Sequence, residues 1–101
     1  MKKSAIPIPI NKEKIGTFCK KHHIVTFALF GSILTTHFGP QSDVDVLVSF
    51  DNQHIPNLFE LVDMETELSA IVGRPVDLKT PGDLSPYFRD DVVSTAKIIY
   101  G

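Results

Sequence analysis

Leu29-Phe30-Gly31-Ser32, ten further residues, and then Asp43-Val44-Asp45-Val46-Leu47-Val48-Ser49-Phe50 decide how this 101-residue chain is read. The second stretch alternates. Val44, Val46, Val48 and Phe50 form one apolar face, while Asp43, Asp45, Leu47 and Ser49 form the other. Period-two geometry therefore puts both aspartates on one side of a strand over Asp43–Phe50, one pleat apart. The first stretch closes Ile24–Phe30, a run rich in β-branched and aromatic residues with apolar side chains on both faces. That pattern predicts a central strand covered on both sides. Gly31-Ser32 stops it, and residues 33–42, punctuated by Gly39-Pro40, make a short turning connection.

Working outward, Asn11 is a helix cap for Lys12–Lys21, where Ile15, Phe18, Cys19 and His22 recur at the spacing of one buried face. Ahead of it, alternating Pro and Ile predict an extended arm over residues 1–10. Downstream, Asn57–Val72 reads as the longest helix. Asn57 caps it, Glu60 stands three residues on, and Gly73 ends it. Its stripe is Leu61, Met64, Leu68, Ile71 and Val72. Val76–Lys79 is a short strand, Ser85-Pro86 opens a last helix with Pro at its first position, and Lys97–Tyr100 is a closing edge strand. The order helix, strand, strand, helix, strand, helix, strand gives an α/β (α+β) class: a small mixed β-sheet flanked by helices, in a single domain over 1–101.

Composition bounds the function. A hydrophobic fraction of 43% with 22% charged residues is that of a folded globule and argues against disorder. A net charge of -2 exerts no overall pull on nucleic acid, and no direct nucleic-acid binding is expected. The charge is uneven, since residues 1–21 carry six lysines against one glutamate. A single cysteine, Cys19, excludes an internal disulfide and a Cys-pair zinc site, and it fits a reducing compartment. No apolar run approaches the ~18 residues of a membrane span. The chain is expected to be cytoplasmic, with no membrane partner.

Three features carry chemistry. Gly31 lets phosphates approach the backbone, and Ser32 offers a hydroxyl and an N–H at the start of a helical turn. Asp43 and Asp45 repel each other unless a cation sits between them, and hard oxygen ligands of this kind suit Mg²⁺. Asp77 lies in the strand Val76–Lys79; beside Asp43–Phe50, it would face the same side. Three carboxylates around Mg²⁺ can support in-line nucleotidyl transfer, and one of them can take the proton of an incoming hydroxyl. Each feature alone is ordinary: Gly-Ser usually makes a turn, and an exposed Asp-x-Asp is often surface. Their fixed spacing is the signal.

That spacing resembles the polymerase-β-like nucleotidyltransferase superfamily. The length, with Leu29–Ser32 and Ser42–Val48, resembles its minimal nucleotidyltransferase branch. The resemblance implies Mg²⁺ on Asp43 and Asp45, with Asp77 as third ligand or general base, and nucleotide phosphates held by Gly31 and Ser32. It implies ATP as substrate and, as partner, a small helical RNase toxin of the HEPN class. Members of that branch often act as antitoxins, some by moving AMP to a tyrosine of the toxin. One departure stands out. Where many relatives have a basic residue soon after Gly-Ser, this chain has Ile33, Leu34, Thr35 and Thr36, and only His37 before Asp43. The phosphate grip then falls to Ser32, backbone N–H groups, Mg²⁺ and Lys79. The same departure motivates a second reading, a binding module that neutralises the toxin without catalysis. A small-molecule nucleotidyltransferase ranks third, because little chain is left for a substrate domain. His22 and His23 are read as helix-end cations and His54 as surface. Glu60, Asp63, Glu65 and Glu67 are read as solvated faces of the long helix, with Glu65 near its apolar stripe.

Overall fold

A cap sets the start of the first helix. In the computed structural model, which describes residues 8–101, the Lys14 N–H donates to Asn11 Oδ1 at 3.0 Å and opens helix α1 (Lys12–Lys21). The arm expected over 1–10 lies outside the described residues up to position 7. Ile8 and Ile10 pack against the core. Ile15, Phe18 and Cys19 are buried as their spacing requires, and His22 is half-buried with its ring against Phe18, where it also caps the helix and pairs with Glu67. His23, with φ of 60°, turns the chain into strand β1 (Ile24–Phe30).

Strand β1 pairs antiparallel with β2 (Val44–Phe50), and β2 pairs in parallel with β3 (Val76–Lys79). Strand β4 (Lys97–Tyr100) closes the sheet beside β1, giving the order β3-β2-β1-β4. The sheet is mixed, as expected. Asp43 falls just ahead of β2 rather than within it. Strand β1 is central but not covered on both faces throughout. Its register with β2 shifts between Ile24 and Thr26, and that bulge leaves Val25 50% exposed.

The long helix α2 (Leu58–Val72) is bounded as read. Glu60 N–H donates to Asn57 Oδ1 and Asn57 N–H donates to Glu60 Oε1, both at 2.8 Å, so the capping box is closed. Gly73 ends the helix in the left-handed conformation. The apolar face of β2 is wholly buried at Val44, Val46 and Val48. It joins one core with Phe18 and Ile15 of α1, Phe27 and Leu29 of β1, and Met64 and Leu68 of α2. Burying one such side chain contributes about 1.5–3 kcal/mol, which fixes the register of β2 and with it the side on which Asp45 emerges.

Two elements differ from expectation. Helix α3 (Arg89–Thr95) begins later than Ser85-Pro86. The Ser85 hydroxyl accepts from the Tyr87 N–H, a local turn that competes with helix. The Arg89 guanidinium then donates to the Pro81 and Leu84 carbonyls and fixes the preceding segment as turns. On α2, Glu65 is not a solvated side chain. Its Oε2 accepts the Leu78 N–H at 2.8 Å, while Ser69 Oγ accepts the Val76 N–H at 3.0 Å. Helix α2 thereby satisfies the donors of β3 that do not reach β2.

Candidate active site

The site is assembled where β1 ends. Phe30 lies opposite Asp45 across the antiparallel pair, so Gly31 is the first residue to leave the sheet beside that carboxylate. Gly31 has φ of 78°, and a Cβ placed there would collide with Asp45 Oδ2. Only glycine meets both conditions. Residues Gly31–Leu34 form a single 3₁₀ turn with Ile33 buried under it, and Ser32 stands half-buried at its start. The Thr35 N–H and hydroxyl both donate to the Ser32 carbonyl, at 2.9 and 2.8 Å, and pin the turn.

Asp45 comes from β2, whose register is set by the buried valines. Asp77 is its direct neighbour on β3, because Asp45 and Asp77 are paired in the parallel ladder. Asp43 sits one pleat earlier and is exposed. The three residues picked from the sequence therefore share one face and one end of the sheet, together with Gly31 and Ser32. Their charges act on one another. Burial first, then Asp77, then Asp43 push the Asp45 carboxyl above its ordinary value, while the Ser32 backbone and Lys79 pull it down. The rise from like charges is the mark of carboxylates gathered without enough positive charge among them.

These oxygens suit a hard divalent cation, and Mg²⁺ in particular commonly completes its shell with phosphate oxygens. Among the described residues no three Asp, Glu, His or Cys side chains stand close enough together to hold a metal ion as they are. Asp45 and Asp77 stand side by side on the sheet, with Asp43 exposed beside them. Lys79, on the same face one pleat beyond Asp77, places Nζ 3.4 Å from Asp77 Oδ1.

The loop that delivers Asp43 has its own supports. Arg74, just past the end of α2, donates from Nη2 to the Gly39 carbonyl at 2.7 Å and stacks its guanidinium over the Phe38 ring at 4.5 Å. Ser42 Oγ accepts the Gly39 N–H. Arg74 escaped the sequence reading because a contact across 35 positions leaves no local spacing to find. The histidines do not join the site. His22 Nε2 is 3.0 Å from Glu67 Oε1, and His23 stacks on His54 with centroids 3.7 Å apart, at the opposite end of β1 from Asp45. His37 lies exposed in the loop, its backbone N–H donating to Thr35 Oγ1. Cys19 is fully buried, and burial pushes its thiol up to about 12, which rules out thiolate chemistry there at neutral pH.

Residues 13–101 match the family described as Polymerase beta, Nucleotidyltransferase. The chain belongs to that family. Among relatives of this nucleotidyltransferase, a protein of Methanocaldococcus jannaschii named as a candidate protein adenylyltransferase is 31% identical over 84% of this chain and 89% of its own. A solved structure described as a candidate minimal nucleotidyltransferase superposes with a TM-score of 0.70 at 27% identity, over 84% of this chain and 85% of that one. A complex of a tri-AMPylated Shewanella oneidensis HEPN toxin with an MNT antitoxin gives a TM-score of 0.65 at 21% identity. That match covers 89% of this chain and 69% of the other, and it shows a shared fold. No helix among the described residues is long and apolar enough to cross a membrane.

Proposed function

We propose that this single domain, residues 1–101, is a Mg²⁺-dependent protein adenylyltransferase. In this reading it moves AMP from ATP to a hydroxyl, a tyrosine, of a partner HEPN-type toxin and so acts as an antitoxin. The observation that carries the reading is Asp45 held between the Gly31 backbone and Asp77, with a glycine cradle that any side chain would fill. The names of the relatives, adenylyltransferases and a toxin-bound MNT antitoxin, support the acceptor class and the partner. A cytoplasmic setting fits the lone buried thiol.

In the reaction, the acceptor oxygen attacks the α-phosphorus of ATP. The bond from that phosphorus to its bridging oxygen breaks, and pyrophosphate departs with the electron pair. Asp43 and Asp45, with Asp77, would hold Mg²⁺, whose role is to neutralise phosphate oxygens as charge moves onto the leaving group. Ser32 and the N–H groups of the Gly31–Leu34 turn orient the phosphates. Asp77 would complete the triad, either as a third ligand or as the base that takes the acceptor's proton.

The test is to incubate the purified partner with ATP, Mg²⁺ and this protein, and to weigh the partner. Wild type should add AMP, and Asp43→Ala and Asp45→Ala should add none while remaining folded. Full transfer by either variant would overturn the assignment. A second reading, neutralisation by complex formation alone, is favoured by the apolar, partly buried turn after Ser32. It requires both alanine variants to protect cells from the toxin as well as wild type does.

A further inference from the structure

The turn that should receive the phosphates brings no cation to them. Ile33 is buried, Leu34 is apolar, and Thr35 spends its hydroxyl on the Ser32 carbonyl. A cation stands instead beside the acids, on β3, two strands across the sheet from the turn. Lys79 stands opposite Leu47 on β3, one pleat beyond the Asp45–Asp77 pair, with Nζ 3.4 Å from Asp77 Oδ1. The two side chains are 40% and 43% exposed, so the pair is solvated and easily exchanged. Lysine combines a point charge with a flexible four-carbon stem, which lets it serve two positions in turn.

We infer that Lys79 is a resident counter-ion of the acidic face: it rests on Asp77 when the carboxylates are bare and passes to the β- and γ-phosphates when a nucleotide binds. This rests on the nucleotidyltransferase reading above. Two consequences have opposite signs. An ammonium on Asp77 competes with a divalent cation arriving alone, so Lys79 weakens binding of the metal by itself. Once a triphosphate is present, the same ammonium finds a better partner in the phosphates, leaves Asp77 to the metal, and strengthens binding of the pair. As the α-phosphorus bond breaks, charge grows on the departing pyrophosphate, where Lys79 then sits. The residue makes joint arrival of metal and nucleotide preferable to either alone.

Calorimetric titration and thermal melting of the full chain test this with four probes: MgCl₂, AMP, a non-hydrolysable ATP analogue with Mg²⁺, and pyrophosphate with Mg²⁺. Lys79→Gln should weaken the analogue and pyrophosphate about tenfold, the cost of one charge-assisted phosphate contact. It should leave AMP unchanged within about twofold and bind Mg²⁺ alone more tightly than wild type. Lys79→Arg should restore the analogue. A loss of structure could not move metal and triphosphate in opposite directions. The inference is overturned if Lys79→Gln binds the analogue as wild type does, if AMP falls with it, or if Mg²⁺ alone binds more weakly. Asp45→Asn separates the two levels. If wild type binds the analogue and Asp45→Asn does not, while Lys79→Gln is neutral, Lys79's role alone is wrong. If wild type itself ignores the analogue with Mg²⁺, the nucleotidyltransferase reading fails and this inference with it.

Discussion

Gly31 and Asp45 are sized to each other. Gly31→Ala puts a methyl into the Asp45 carboxylate at a backbone angle only glycine adopts freely. The variant should lose about 1–3 kcal/mol, the usual cost of such strain, and melt several degrees lower. Nucleotide binding should fall with it, measured by the same melt in ATP and Mg²⁺. Asp45 itself gives a prediction in pH. Its carboxyl is raised in the folded protein, so its charged form opposes folding above that raised value; the penalty fades as pH falls from there to the ordinary 3.8 and is gone below it. Metal-free Asp45→Asn should therefore melt higher than wild type at neutral pH and lose that advantage in acid. Glu67 carries the opposite sign. Burial raises its pKa, but hydrogen bonds from His22 and Lys21 outweigh that and lower it overall. Glu67→Gln should destabilise the fold at neutral pH by less than about 1 kcal/mol, since the cluster is partly solvated, and so lower the melting temperature slightly. The deficit should vanish as pH falls through the depressed Glu67 value. The aspartates and Gly-Ser were legible in the sequence because strand alternation fixes side from spacing. The Gly31–Asp45 contact was not, since it depends on which strands pair.

At the scale of elements, boundaries written in local chemistry were readable. The Asn57–Glu60 box and Gly73 bracket α2 because capping depends on residues three or four apart. Asn57→Ala should cost about 1 kcal/mol by removing the cap, read as a drop in the denaturant midpoint with unchanged slope. The start of α3 was misread for an equally physical reason. Serine followed by proline suits both a helix start and a turn, and Arg89, four residues beyond Ser85, decides between them through the Pro81 and Leu84 carbonyls. Arg89→Ala frees those carbonyls and should loosen residues 81–88, seen as faster amide exchange there with α2 protected as before. Glu65 was also out of reach of sequence patterning, because its partner is a backbone N–H on another element.

Across the whole molecule, the fold separates its tasks by face. Helices α1 and α2 and the buried valines of β2 hold the structure, and the carboxylates gather on the side those valines leave free. Asp43→Ala, at an exposed position, should therefore leave the stability within about 0.5 kcal/mol of wild type, with the melting temperature nearly unchanged, while abolishing transfer. Equal loss of both would show that the two faces are not independent. The class and the strand order along the chain followed from periodicity; the spatial order β3-β2-β1-β4 came only with the coordinates.

Helix α2 reaches over one margin of the sheet: Ser69 and Glu65 occupy the Val76 and Leu78 donors of β3. At the other margin, none of the described hydrogen bonds caps the outer side of β4. Polymerisation by strand addition needs two free margins, one to offer and one to accept. This sheet has one. Two copies that met through β4 would each use up the one margin left open among the described residues, so pairing through that strand would favour a closed pair over a growing fibre.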